Sequence, residues 1–337
     1  MAAKISAIEY ALPELEVTNA ELAQDYPEWT VEKIYGKTGI MSRHITAPDE
    51  FASDLAVKAA EKLFASGEIA REDVDFVLYC TQSPDYRLPT TACIIQDRLG
   101  LRKSCGALDF NLGCSGFVYG LSLAKGLVET GAARNVLLLT AETYSKYINP
   151  GDRSVRTIFG DAAAATLVRE DGTGEGYIGP FIFGTDGSGA KNLIVPAGGA
   201  RKPSTADTAV ERKDETGCIR SDDDIYMNGS EIFVFTLGSV PAALNALLQK
   251  SGKTMEEVDV FVFHQASKFM LDTLRVKCRI PEQKFVLAMK DIGNTVSSTI
   301  PIAMKDAMES GQLRKGMRVV LIGFGVGYSW AACMVEL

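Results

Sequence analysis

The sequence predicts an α/β fold built from two related halves. Apolar strand-like runs alternate with helical runs over almost the whole chain. The strands are continuously apolar, as expected where helices cover both faces of a sheet. A strand–helix–strand unit also occurs twice. In the first copy Val74 to Tyr79 reads as a buried strand, and Asp109-Phe110-Asn111-Leu112-Gly113-Cys114-Ser115-Gly116 opens the apolar helix Phe117 to Val128. Asn135 to Thr140 is the next strand. In the second copy Val258 to Phe263 is the strand, Asp291-Ile292-Gly293-Asn294-Thr295 opens the helix, and Met317 to Ile322 closes the unit. Such self-similarity predicts an internal duplication. Cys114 and Asn294 then fall at the same turn of the two copies and face each other across a pseudo-twofold axis.

In chain order, Ile5 to Ala11 reads as a strand and Asn19 to Asp25 as a short helix. Phe51 to Ser66 and Thr90 to Leu99 space their apolar residues as helices do. Asp161 to Val168 is an Ala-rich apolar run, and Arg169-Glu170-Asp171-Gly172-Thr173-Gly174 after it is a turn. That turn divides the chain into an N-terminal half, residues 1–173, and a C-terminal half, residues 174–337. Ala197 to Asp224 mixes Gly, Pro, Ser, Thr and charge, and reads as a long surface excursion. Glu231 to Lys250 is helical.

The 337 residues carry a net charge of -8, which argues against a general nucleic-acid binder. No stretch approaches about 20 uninterrupted apolar residues, so no membrane span is expected. The N-terminus, Met1-Ala2-Ala3-Lys4-Ile5, lacks a signal-peptide layout. The seven cysteines include no C-x-x-C pair. Reduced thiols in a cytoplasmic protein are the simplest reading. With two histidines, His44 and His264, a His/Cys zinc site is not expected, and no other metal site is either.

Gly113 and Gly116 flank Cys114, allowing a tight turn and close approach by a ligand. The helix that follows would aim its positive end at the sulfur and lower the thiol pKa. A small buried cysteine packed beside a helix start is the plain alternative. His264 ends a strand, where α/β folds gather ligands; alone, it would read as a satisfied core histidine. Asn294 could be a turn residue or a helix N-cap. Its amide could also donate to a developing oxyanion. Gly323-Phe324-Gly325-Val326-Gly327 could cradle a phosphate, although no G-x-x-x-x-G-K-[ST] is present. The favoured reading is a bend whose backbone N–H groups, Val326 among them, form an oxyanion hole with the N–H of Cys114. A thiol, an imidazole and an amide at one junction point to covalent acyl chemistry.

Together these residues resemble the thiolase-fold condensing enzymes, above all the 3-oxoacyl-acyl-carrier-protein synthase III family. The resemblance runs nearly end to end: Lys37-Thr38-Gly39-Ile40 with Arg43-His44-Ile45, then Pro89-Thr90-Thr91-Ala92-Cys93, then Gly113-Cys114-Ser115-Gly116-Phe117. Phe159-Gly160-Asp161-Ala162-Ala163-Ala164, His264-Gln265-Ala266, Gly293-Asn294-Thr295 and a C-terminal Gly-x-Gly-x-Ser-Trp follow in order. The resemblance implies a five-layered α-β-α-β-α sandwich, usually a homodimer, with no tightly bound cofactor. It implies ping-pong chemistry. Cys114 takes an acyl group from an acyl-coenzyme A, and a malonyl thioester, on an acyl carrier protein or coenzyme A, then loses carbon dioxide. Its carbanion attacks the acyl-cysteine while His264 and Asn294 hold the enolate oxygen. Trp29, Lys37 and Arg153 match coenzyme A-binding positions.

Elongating synthases use Cys-His-His, which two histidines cannot supply once His44 is assigned to the N-terminal signature. Thiolases use a second cysteine, which Cys333 matches poorly. Four positions depart from the family pattern. Ile292 replaces a common His, and Val326 a common glycine. Phe269 stands where a basic carrier-docking residue is usual, with Lys268 and Lys277 as substitutes. Leu88 stands where a larger aromatic closes the pocket from the dimer partner. Acyl transfer from Cys114 to an alcohol or amine without decarboxylation remains an alternative. A papain-like protease is disfavoured because C-G-[SA]-C-[WY] is absent. A non-catalytic synthase partner is disfavoured because the cysteine is kept.

Overall fold

The computed structural model describes residues 2–172 and 176–337. The N-terminal part runs β1 (Ala2–Ala11), β2 (Leu15–Thr18), α1 (Asn19–Asp25), α2 (Val31–Thr38), β3 (Ser42–Ile45), α3 (Ala52–Ala65) and β4 (Phe76–Cys80). It continues with α4 (Thr91–Arg98), β5 (Gly106–Phe110), α5 (Gly116–Glu129), β6 (Asn135–Glu142), α6 (Arg153–Arg156) and β7 (Ala162–Asp171). Next come β8 (Tyr177–Thr185) and four short strands, β9 (Leu193–Ile194), β10 (Arg212–Lys213), β11 (Ile219–Arg220) and β12 (Tyr226–Met227). The chain ends with α7 (Gly229–Ser251), β13 (Val260–Phe263), α8 (Lys268–Lys277), α9 (Thr299–Glu309), β14 (Arg318–Gly325) and β15 (Ser329–Glu336). The expected boundary between Thr173 and Gly174 lies outside the described residues.

The two main sheets repeat one topology. The first has the order β1-β7-β6-β4-β5 and the second β8-β15-β14-β13. In each, the β4/β6 or β13/β14 pair is parallel and the two strands beyond are antiparallel. Even the fifth position is echoed. β5 pairs with β4 in parallel, and Phe285 makes a parallel bridge to Phe261 of β13. Cys114 follows β5 and Asn294 follows the Phe285 segment, so the duplication read from the sequence is present.

Side-chain alternation then builds the layers. Val77 and Tyr79 of β4 face α3 and α4, while Leu78 faces the other way with Phe117 and Leu121 of α5. Val319 and Leu321 of β14 join that same central core with Ile300 and Met304 of α9. Val320 and Ile322 face outward to Val240, Leu244 and Leu247 of α7 and Leu271 of α8. The stack is thus helix, sheet, helix, sheet, helix. By length and composition alone α7 could cross a bilayer. Here its buried face, from Ile232 to Leu248, packs on the second sheet.

Two elements differ from expectation, and the Ala-rich run, given no type from its sequence, takes one. β5 lacks a sequence signal because Gly106-Ala107-Leu108-Asp109-Phe110 is a half-buried edge strand with no continuous apolar run. The Ala-rich run is the strand β7, whose small side chains admit α3 on one face and Ile302 of α9 on the other. Gly323 and Gly325 lie inside β14, so only the segment from Val326 onward forms the bend.

Candidate active site

Cys114 sits in the turn from β5 into α5, buried to 4% exposure. The turn closes with the Gly116 N–H donating to Gly113 O at 2.8 Å. Strand β14 passes unusually close behind it. A Cβ on Gly325 would lie 2.8 Å from Cys114 Sγ, and one on Gly323 2.7 Å from Cys114 O. The glycines of the C-terminal motif are therefore required by backbone approach to the nucleophile. The electrostatics correct one expectation: burial outweighs the helix terminus and pushes the thiol up to about 12. The backbone N–H groups of Val326 and Cys114 face the sulfur and oppose that rise. The resting group is a neutral thiol.

His264 leaves the end of β13, its N–H donating to Ile322 O of β14 at 2.8 Å. Its ring is buried, and burial holds the imidazole down at about 3, against the opposing contact with Val296 O. It is therefore neutral at neutral pH. Nδ1 lies 2.7 Å from Thr299 Oγ1, and the Thr299 hydroxyl donates its one hydrogen to Val296 O at 3.0 Å. Thr299 Oγ1 must then accept from Nδ1–H, which leaves Nε2 with a free lone pair. Thr299, the first residue of α9, was not legible as part of the site.

Asn294 is set by Gly293, whose φ of +80° is left-handed. Its backbone is knitted to the first half. Asn294 N–H donates to Ile158 O at 2.9 Å, and Gly160 N–H donates to Asn294 O at 3.0 Å. Its side-chain Oδ1 accepts from Val296 N–H at 2.9 Å, which orients the amide and keeps Nδ2–H as its donor. The Oδ1 bond to the N–H two residues on is an Asx-turn, so Asn294 fills the turn role the sequence allowed while also lining the cavity.

Cys114, His264 and Asn294 line one cavity of about 330 Å³. Its other walls are mostly apolar, including Phe159, Leu193 and Ile232. At the mouth Phe269 stacks on Phe233 with centroids 5.4 Å apart, and Phe269 is 62% exposed.

Several other motifs hold the frame. Buried Arg43 donates to Val17 O, Asn19 Oδ1 and Thr157 O. The Asp161 carboxylate accepts from the N–H and hydroxyl of both Thr46 and Ser145. Glu142, at the end of β6, accepts from Gln82 N–H and from the Ser83 and Ser297 hydroxyls. Burial nevertheless pushes its carboxyl up from 4.5 to about 8. The native state then holds a proton that the unfolded chain has released, so this group's stability is complete below about pH 4.5 and is lost as pH rises through about 8. Glu142→Gln is expected to remove that slope and raise the melting temperature at pH 9, by the equivalent of roughly a few kcal/mol. Thermal melts across pH would show it; an unchanged slope would refute it.

The peripheral positions divide. Trp29 is ringed by cations, with Lys33 Nζ, Lys37 Nζ and the Arg153 guanidinium 5.3, 5.4 and 5.9 Å from its ring centroids. Lys268 pairs with Asp272 in the first turn of α8, and Lys277 lies in its last turn. Leu88 is 82% exposed and lines no part of this cavity. All seven cysteines are free. Among the described residues no His, Cys, Asp and Glu cluster fits a metal ion.

A buried thiol, an imidazole and a carboxamide at the junction of two duplicated α/β halves define a thiolase-fold acyltransferase. The sequence matches the 3-oxoacyl-[acyl-carrier-protein] synthase III family over residues 108–187 and the family of its C-terminal region over residues 248–337. The beta-ketoacyl-[acyl-carrier-protein] synthase III of Caldanaerobacter subterraneus subsp. tengcongensis is 36% identical over 325 residues, covering 96% of this chain and 95% of that one. A crystal structure of a 3-oxoacyl-(acyl-carrier-protein) synthase III superposes with a TM-score of 0.98 at 58% identity, covering 100% of both chains. A 3-oxoacyl-(acyl-carrier protein) synthase from Burkholderia xenovorans LB400 gives 0.90 at 35% identity, over 100% of this chain and 94% of the other. This chain belongs to the 3-oxoacyl-[acyl-carrier-protein] synthase III family.

Proposed function

We propose that the chain performs a decarboxylative Claisen condensation in fatty-acid initiation or a related pathway, through an acyl-cysteine at Cys114. The observation that carries this is the shared enclosure of Cys114, His264 and Asn294. In the first half-reaction Cys114 Sγ attacks the carbonyl of an acyl-coenzyme A thioester. Its proton passes to His264 Nε2, whose lone pair Thr299 keeps free. The N–H groups of Cys114 and Val326 take the oxyanion, and coenzyme A leaves as a thiolate. In the second, a malonyl thioester occupies the vacated channel. Its C–C bond to the carboxylate breaks and carbon dioxide departs. Nε2–H and Asn294 Nδ2 hold the enolate oxygen. The enolate carbon then bonds to the acyl carbon, the sulfur is expelled, and Nε2 returns the proton to it.

Coenzyme A binding at Trp29, Lys37 and Arg153 belongs to the same reading, supported by the clustering of three cations at one indole. So do docking of an acyl carrier protein near Lys268 and Lys277, a cytoplasmic location, and a homodimer with Leu88 presented to the partner's pocket. The division at residues 173 and 174 into a Cys-bearing and a His/Asn-bearing half is likewise part of it.

Intact-mass spectrometry after incubation with a panel of acyl-coenzyme A thioesters tests this. Mass gain on Cys114 is expected, followed by carbon dioxide release and chain extension once malonyl thioester is added. Acylation with product transfer but no carbon dioxide would favour simple acyl transfer instead.

A further inference from the structure

Val296 is the strained residue of the site. Its φ of +56° is left-handed; among the described residues the one other non-glycine there is Arg279, which is unbranched and follows the end of α8. A β-branched residue is a steric outlier in that region and persists only where its surroundings over-determine it. Val296 is fully buried, and it opens the helical turn Val296–Ser298 that leads into α9. Its N–H donates to Asn294 Oδ1 at 2.9 Å. Its carbonyl accepts at 3.0 Å from the hydroxyl of Thr299, the residue that fixes the His264 tautomer. One residue therefore orients both the amide and the imidazole. A relaxed Val296 would turn its N–H and its carbonyl away from both.

The restraint comes from the first sheet. Ser297 and Ser298, the next two residues, are buried, and both are tied to β6. The Ser298 hydroxyl donates to Thr140 O at 3.1 Å and lies 2.9 Å from Thr140 Oγ1. The Ser297 hydroxyl donates to Glu142 Oε1 at 3.1 Å, its one hydrogen-bond partner among the described residues. Thr140 and Glu142 are alternate residues of β6, so their side chains leave the same face of the strand. Glu142 is itself fixed at its other oxygen, by Gln82 N–H at 3.0 Å and the Ser83 hydroxyl at 3.1 Å. It has no cationic partner among the described residues, so it is not half of a structural ion pair. A fully buried carboxyl without a counter-ion is a costly group to keep for packing alone. What it supplies here is a rigid acceptor for the residue that follows Val296.

We propose that Glu142 is a positioning residue for the condensation: it anchors Ser297, and through Ser297 the strained Val296, so that His264 and Asn294 keep their orientation. This rests on the catalytic reading above. Glu142 does not line the catalytic cavity, so it acts only through the segment it holds.

The test has a spectroscopic and a kinetic readout. The chain has two histidines, which makes their imidazole nitrogen chemical shifts simple to assign. In the wild type at neutral pH, His264 should be a single neutral tautomer with its hydrogen on Nδ1. Ser297→Ala and Glu142→Ala should each give a mixture of tautomers. Glu142→Gln, which keeps an oxygen for the Ser297 hydroxyl, should give the wild-type spectrum. In Ser297→Ala, kcat for condensation is expected to fall about tenfold or more, with KM for the acyl-coenzyme A unchanged. Glu142→Gln should restore most of the rate that Glu142→Ala loses. Rates are compared well below each variant's melting temperature, so lost stability does not enter, and Ser297→Ala carries the test should Glu142→Ala not fold. A single Nδ1–H tautomer in Ser297→Ala, or an unchanged kcat, overturns the proposal and leaves the catalytic reading standing. No condensation by the wild type overturns both.

Discussion

Replacing Cys114 by serine is expected to abolish acylation and condensation together, a loss on the order of 10⁴ or more. The site offers a hydroxyl nothing in exchange for the sulfur. Even the thiol rests protonated, pushed up to about 12 by burial, and in the proposed mechanism reacts only as its proton leaves for His264. A serine hydroxyl is a far weaker acid in the same enclosure and has no independent base. The substitution should not disturb the fold, because the smaller oxygen relieves rather than adds contact against Gly325, whose missing Cβ is what admits the sulfur. Unchanged melting with no mass gain from any acyl-coenzyme A is the expected pair of results. Condensation above about 1% of wild type with no acyl group on residue 114 would remove the covalent mechanism, whereas an acylated serine would refute only the expected loss.

The repeat and the identity of the three central residues were legible before any coordinates, and for one reason. Both depend on short, continuously apolar strands and on Gly-flanked turns, signals that are local in the chain. The helix over Asn19–Asp25 matches to the residue, and its Thr18–Glu21 capping box is a local signal only three residues long. What stayed hidden is set by contacts between distant segments. Thr299 looks like any first-turn threonine until β13 brings an imidazole to it. Glu142 shows its raised carboxyl only once the fold buries it, against the opposing hydrogen bonds from Gln82, Ser83 and Ser297. The direction of the Cys114 shift was misjudged because a helix terminus can be read from sequence, whereas the depth of burial opposing it cannot.

Replacing His264 by alanine is expected to cut condensation by about 10³, with Asn294→Ala costing about 10². The asymmetry follows from the proton path. Asn294 only donates: Val296 N–H occupies its Oδ1, so its loss removes one donor to the enolate and spares the first half-reaction. In the proposed mechanism His264 serves both halves, as acceptor of the thiol proton and then as a donor, so its loss should slow Cys114 acylation as well. Single-turnover acylation and carbon dioxide release, measured separately, distinguish the two roles. Asn294→Ala should label at the wild-type rate and release carbon dioxide slowly; His264→Ala should be slow in both. Thr299→Val, which removes the acceptor of Nδ1–H but little volume, should lie between wild type and His264→Ala in acylation, with Thr299→Ser restoring most of the rate. Equal acylation by wild type and His264→Ala would show that the imidazole does not take the thiol proton. The neutral thiol at the base of the cavity would then need another base, and no other residue lining that cavity carries a titratable group able to serve as one.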